Sequence, residues 1–109
     1  QTTSQSETID VSIETNNNGQ GNVYVIDGTQ KKALELKVGT TYTFNHSSNH
    51  PLRFSTTSDG THNDGSDYMN GVTTSAGVTT IEITANTPTT LYYYCQIHPG
   101  MGASISISN

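Results

Sequence analysis

Three residues with metal-binding chemistry crowd one short segment: Cys95, His98 and Met101, in Leu91-Tyr92-Tyr93-Tyr94-Cys95-Gln96-Ile97-His98-Pro99-Gly100-Met101. Thiolate and thioether are soft donors, and two imidazoles with one thiolate and a long axial methionine form the ligand set of a blue-copper electron-transfer centre. The segment supplies three of these four groups. It therefore reads as most of a copper site. A single cysteine rules out an intramolecular disulfide and leaves a buried, intermolecular or ligating thiol. Only ligation accounts for the histidine and methionine beside it.

The remaining ligand must come from far away, and the other histidines are His46, His50 and His62. His50 is the best candidate. It stands at the break Asn49-His50-Pro51 between two strand-like segments, where the end of a sandwich would hold it over the Cys95 loop. His46 shares parity with Tyr42 and Phe44, and His62 lies in a polar stretch, so both read as non-ligands. Asp59, Asp64 and Asp67 lack the regular ligand spacing and terminal glutamate of a calcium loop and read as a solvated turn. Asn45-His46-Ser47 is a glycosylation sequon only in a chain made in a eukaryotic secretory pathway. Each ligand also has a bland reading. A lone cysteine in a sandwich is commonly inert and buried, Met101 could cap a core, and His98 could be a turn residue. Their joint occurrence at ligand spacing outweighs these separate readings.

The elements that must position these groups are strands. Apolar residues alternate with polar ones at period two, and no window carries them at helical spacing. Ile9, Val11 and Ile13 alternate before a break at Asn17-Asn18-Gly19. Val23 to Ile26 form a short apolar run, Leu34, Leu36 and Val38 alternate, and a turn at Gly39 leads to Tyr42 and Phe44. Leu52 and Phe54 follow a kink at Pro51. Ser55 to Gly77 is polar, reads as a long surface excursion, and offers only Tyr68, Met69 and Val72 for packing. Ile81 and Ile83, then Leu91 to Cys95, then Ala103, Ile105 and Ile107 mark the last strands. Seven or eight short strands with regular turns predict an all-β, two-sheet Greek-key sandwich. Parity puts Leu91, Tyr93 and Cys95 on one inward face, and Met101 in phase with Ala103, Ile105 and Ile107. The tyrosines at 92 to 94 read as packing residues.

A chain of 109 residues fits a single domain over 1–109 with one core. Four Lys plus Arg against nine Asp plus Glu give a net charge of −5. That balance argues against nucleic acid or an anionic membrane as partner and favours a basic protein. No apolar run approaches the roughly 20 residues of a membrane span, so a soluble chain is expected. The first residue is Gln1; this suits a chain whose leader has been removed and an extracytoplasmic, for example periplasmic, location.

Together these residues resemble the cupredoxins, small blue-copper proteins, over most of the chain. Members carry an upstream histidine followed four positions later by an aromatic residue, matched by His50 and Phe54. Their C-terminal ligand loop is matched by Tyr94-Cys95-Gln96-Ile97-His98-Pro99-Gly100-Met101, in its short, amicyanin-like version. The resemblance implies His50, Cys95 and His98 as equatorial ligands, Met101 as axial ligand, and one copper ion per chain cycling between Cu(I) and Cu(II). It implies a monomeric one-electron carrier rather than an enzyme, with redox partners docking around His98, Pro99, Gly100 and Pro51. Three rivals stand beside it. One is an open copper site that oxidises or reduces a small molecule; the others are copper storage and a metal-free structural sandwich. One departure carries physical meaning: most cupredoxins have asparagine after the upstream histidine, with its N–H directed at the thiolate. Here that position is Pro51, which has no N–H. A missing donor to the electron-rich sulfur is expected to lower the copper potential, with the N–H of Ile97 left as a remaining donor.

Overall fold

The structure, a computed structural model, describes residues 5–19 and 21–108. Their strands are β1 (Gln5–Thr15), β2 (Asn22–Ile26), β3 (Thr29–Gln30), β4 (Leu34–Lys37), β5 (Thr40–Asn45), β6 (Leu52–Ser55), β7 (Val72–Ser75), β8 (Val78–Glu82), β9 (Thr90–Cys95) and β10 (Ala103–Ser108). They form a six-stranded sheet in the order β3-β2-β1-β5-β8-β7 and a four-stranded sheet in the order β4-β10-β9-β6. Two pairings are parallel, β1 with β5 and β10 with β4. Parallel neighbours need crossover connections, which here carry the chain between the two layers. The all-β sandwich expected from the alternation is the architecture observed.

The strand count exceeds the expected seven or eight because two short strands had weak signals. β3 is a two-residue return against β2. β7 lies inside the stretch read as a surface excursion; it pairs with β8 around Gly77, and its β-branched Val72-Thr73-Thr74 suits a half-buried strand. The rest of that stretch is a surface segment as expected, with most of its side chains exposed, but it also covers part of the core. It contains a 3-10 turn, Gly60–Asn63, and touches β6 through a bridge between Ser55 and Asp67. Tyr68 and Val72 pack against the core as expected, whereas Met69 is 48 % exposed.

The core lies between the sheets and is built by alternation. Leu34 and Leu36, Tyr42 and Phe44, Ile81 and Ile83, and Leu91, Tyr93 and Cys95 all bury their side chains there. Phe44 and Phe54 meet edge to face across the layers, with centroids 5.4 Å apart, a geometry aromatic pairs favour. The run Val23–Ile26 is buried on both faces, with Tyr24 and Ile26 turned into the common core. Tyr94 points the other way from Tyr93 yet is fully buried, because the 3-10 turn covers it. Gly60 makes this possible: its φ is +52°, and a Cβ there would run into the Tyr94 ring. Glycine alone tolerates both conditions.

Candidate metal centre

Strand register brings the remote histidine to the cysteine. In the β6–β9 pair Leu52 lies opposite Cys95, so the chain entering β6 passes the end of the sheet where β9 gives way to the loop. His50 sits two residues before that pairing, its N–H bonded to Ser47 O at 3.1 Å in a tight turn. Gln96 N–H donates to Pro51 O at 2.9 Å and extends the ladder by one rung. Cys95 faces inward, as its parity with Leu91 and Tyr93 predicted.

His50, Cys95 and His98 converge, with one ligand atom of each within 4.8 Å of the others. Cys95 Sγ lies 3.9 Å from His50 Nδ1 and 3.7 Å from His98 Nδ1. The two imidazole rings are 4.8 Å apart and inclined by 38°. Metal–sulfur and metal–nitrogen bonds of about 2.3 and 2.0 Å at a trigonal angle separate the donors by about 3.7 Å. The sulfur therefore stands from each Nδ1 at the spacing a shared metal requires. Burial grades across the group: Cys95 is enclosed, His50 half-buried and His98 exposed. Met101 is fully buried in the same core cluster as Cys95. Together with His50 and His98 it lines a cavity of about 540 Å³, whose rim carries Asn16, Asn18, Asn22 and Lys31.

Burial and the nearby His98 ring both lower the pKa of His50, which keeps its imidazole neutral and available as a donor. Tyr24 responds in the opposite direction. Burial first, and then the neighbouring Cys95 thiolate, holds its phenol protonated far above the ordinary tyrosine range.

The residues fixing this geometry come from two other parts of the chain, β2 and the 3-10 turn. The Tyr24 hydroxyl donates to His50 O at 2.6 Å, and Tyr24 N–H donates to Met101 O at 3.0 Å. Asp59, at the head of the 3-10 turn, accepts Gly100 N–H on both carboxylate oxygens at 3.0 and 3.2 Å. His62 Nε2 donates to Cys95 O at 2.7 Å. His46 stands outside the donor group, its ring bonded to Ser47 O and the Thr79 hydroxyl. Asp59, Asp67 and His62 were expected to be solvated. Instead Asp67 receives the Tyr94 hydroxyl, and the other two grip the ligand loop. No local pattern marks Tyr24, Asp59 or His62, since each partner lies at least 26 positions away.

No protein-family model matches the chain, and no curated protein sequence matches it. Solved structures do. A substituted rusticyanin superimposes with a TM-score of 0.55 at 16 % identity, covering 96 % of this chain and 79 % of that one. Reduced rusticyanin gives 0.53 at 16 % identity, covering 96 % and 81 %. Rusticyanin is a cupredoxin. The fold of this chain is the cupredoxin fold. A copper nitrite reductase from Nitrosomonas europaea also matches, at 16 % identity, over 42 % of its own length and with a TM-score of only 0.48. No helix among the described residues is long and apolar enough to cross a membrane.

Proposed function

We propose that this chain is a type 1 copper protein that carries single electrons between redox partners. His50, Cys95 and His98 serve as equatorial ligands, Met101 as the axial ligand, and one copper ion binds per chain. The observation that carries this reading is the approach of two imidazole nitrogens to one buried thiol sulfur, at 3.9 and 3.7 Å. The solved rusticyanin, described in its reduced form, supports it as a redox-active relative in fold.

The copper ion supplies the one-electron Cu(II)/Cu(I) couple. The protein's own contribution is to keep the donors still. Cys95 ends a central strand, its carbonyl is held by His62, the His50 carbonyl is held by Tyr24, and Gly100 is tied to Asp59. Donors fixed by such surrounding bonds need little rearrangement when the electron count changes. His98 is exposed, with the 57 % exposed Ile97 beside it; its ring is the shortest route from the sulfur to a partner. Partners dock over His98, Pro99, Gly100 and Pro51 as a monomer presents them, in the small interfaces of transient redox encounters. The net charge of −5 favours basic partners. We place the protein outside the cytoplasm, for example in the periplasm.

Adding Cu(II) to the purified apoprotein tests this. An intense visible thiolate-to-copper charge-transfer band, abolished in Cys95→Ser, is expected; a wild type without the band overturns the proposal.

One observation favours a second reading, an open copper site acting on a small molecule. The cavity beside His50, His98 and Met101 is large enough, at about 540 Å³, for a small ligand and is ringed by amide side chains. Azide that perturbs the copper spectrum supports the open site, and an indifferent spectrum supports the closed carrier.

A further inference from the structure

The cavity beside His50, His98 and Met101 departs from the charge of the whole chain. The protein has a net charge of −5, yet among the described residues lining this cavity there is no carboxylate, and Lys31 is the one Lys or Arg. Carboxylates of the flanking segments are engaged elsewhere. Glu14 accepts Gln30 Nε2–H at 2.7 Å, and Asp27 pairs with Lys32 at 3.0 Å, the one ion pair among the described residues. Asp59 shares a smaller hollow with Lys31, but both its oxygens face Gly100 N–H.

Lys31 is set there at a backbone cost. Its φ is +50°, in the left-handed region where a Cβ is crowded and glycine is the usual residue. Its N–H donates to Tyr24 O at 2.9 Å, which fixes it to the strand that also carries the site. Strain of this kind persists only where the surrounding structure imposes it, and it gathers at functional sites. The turn between β1 and β2 adds neutral donors. Asn16 N–H donates to Gly21 O at 2.9 Å and Gly19 N–H to Asn16 O at 2.7 Å, closing that turn. Asn16 Oδ1 takes Asn18 N–H at 3.3 Å, so the NH2 is the end of that amide left for a ligand. Asn22, at the start of β2, brings a further amide to the same rim.

We propose that this cavity binds a small monovalent oxyanion, with Lys31 as its counter-charge and the Asn16 and Asn22 amides as donors, beside His50 and His98. One cation with neutral N–H donors and no competing carboxylate is the set that recognises such a group. The binding site needs no copper; its redox consequence rests on the copper reading. Cu(II) carries one more positive charge than Cu(I), so an anion held beside the imidazoles binds the oxidised form more tightly. Linkage is reciprocal, and the anion therefore lowers the copper potential. It acts through its charge and does so whether or not it touches the metal.

Nitrate and acetate, one inorganic and one carboxylate, are the probes. Titrated into isotope-labelled apoprotein at constant ionic strength, at least one is expected to give saturable NMR shifts of the Lys31 backbone amide and of the Asn16 and Asn22 side-chain NH2 groups. The tighter of the two identifies the source of the oxyanion. Lys31→Gln is expected to weaken binding about tenfold, the loss of one charge-assisted hydrogen bond, and Lys31→Arg to retain it. Lys31→Gly relieves the left-handed backbone, so it should fold at least as stably as wild type and still bind as weakly as Lys31→Gln. No saturable shift with either anion, or equal binding by wild type and Lys31→Gln, overturns the inference. On the copper-loaded protein, saturating nitrate is expected to lower the potential by about 59 mV, a tenfold preference for the oxidised form, and to do so less in Lys31→Gln. A potential that bound nitrate leaves unmoved overturns the redox coupling. A wild type without the charge-transfer band removes the copper reading alone, and the apoprotein titration then decides the anion site.

Discussion

The imidazole of His62 donates Nε2–H to the carbonyl oxygen of Cys95 at 2.7 Å, across 33 positions of sequence. Three residues earlier, Asp59 takes the N–H of Gly100 on both oxygens of its carboxylate. One 3-10 turn thus grips the ligand loop at its first residue and next to its last. The stretch that looks like a polar detour is the clamp on the site.

This clamp should show in how tightly metal is kept. Asp59→Ala and His62→Ala are each expected to cost about 1 kcal/mol of stability, the net worth of one such hydrogen bond. Both should speed copper loss to a chelator severalfold, with Asp59→Asn recovering part of the effect through its remaining carbonyl acceptor. Release rates equal to wild type in both alanine variants would show that the turn does not hold the loop.

Restoring an N–H beside the sulfur should move the potential upward. Pro51→Asn keeps the carbonyl that accepts from Gln96 at 2.9 Å while adding the donor that proline lacks. Protein-film voltammetry is expected to show a rise, because a donor to the electron-rich sulfur favours the reduced metal. A fall in potential counts against the whole account of sulfur donors.

Gly60 is where the cover meets the core. Gly60→Ala imposes a side chain on a φ of +52° and drives its Cβ into the buried Tyr94 ring. The backbone and overpacking penalties together are expected to cost at least about 2 kcal/mol. Chemical denaturation of the apoprotein measures this, and a variant as stable as wild type would mean that the turn lifts freely off Tyr94.

The stability of the apoprotein should decline at both ends of the pH scale. The pKa of His50 is lowered from 6.5 by burial and by His98, so above that pH both folded and unfolded chains hold it neutral. As pH falls below 6.5 the unfolded chain takes up the proton first, and stability is lost until folded His50 protonates as well. Tyr24 and Tyr93 are both raised above the ordinary tyrosine value of 10.0, chiefly by burial. Their contribution is complete below pH 10 and is lost as the pH climbs past it, because the unfolded chain ionises first. Thermal midpoints should therefore form a plateau between these limits. His50→Gln is expected to flatten the acid side and Tyr24→Phe the alkaline side; an acid limb untouched by His50→Gln rules out that assignment.

Much of this protein is legible in short windows of sequence. Period-two alternation is a local property of the backbone, since successive side chains of a strand face opposite ways; it announced the sandwich and turned Cys95 inward beside Leu91 and Tyr93. Soft-donor chemistry is equally local, so Cys95, His98 and Met101 declared themselves by type and spacing. His50 was legible only as a candidate among three histidines. Its place over the sulfur, 45 positions away, was decided by the pairing of Leu52 with Cys95. The roles of Tyr24, Asp59 and His62 depended wholly on tertiary structure. A buried tyrosine in an apolar run and an aspartate and histidine in a polar turn look ordinary until two sheets close and a loop folds over them. The reason is that a hydrogen bond between distant residues depends on register and layer packing, which no local period encodes. Sequence alone determined which atoms could bind a metal, and tertiary structure decided which residues hold those atoms still.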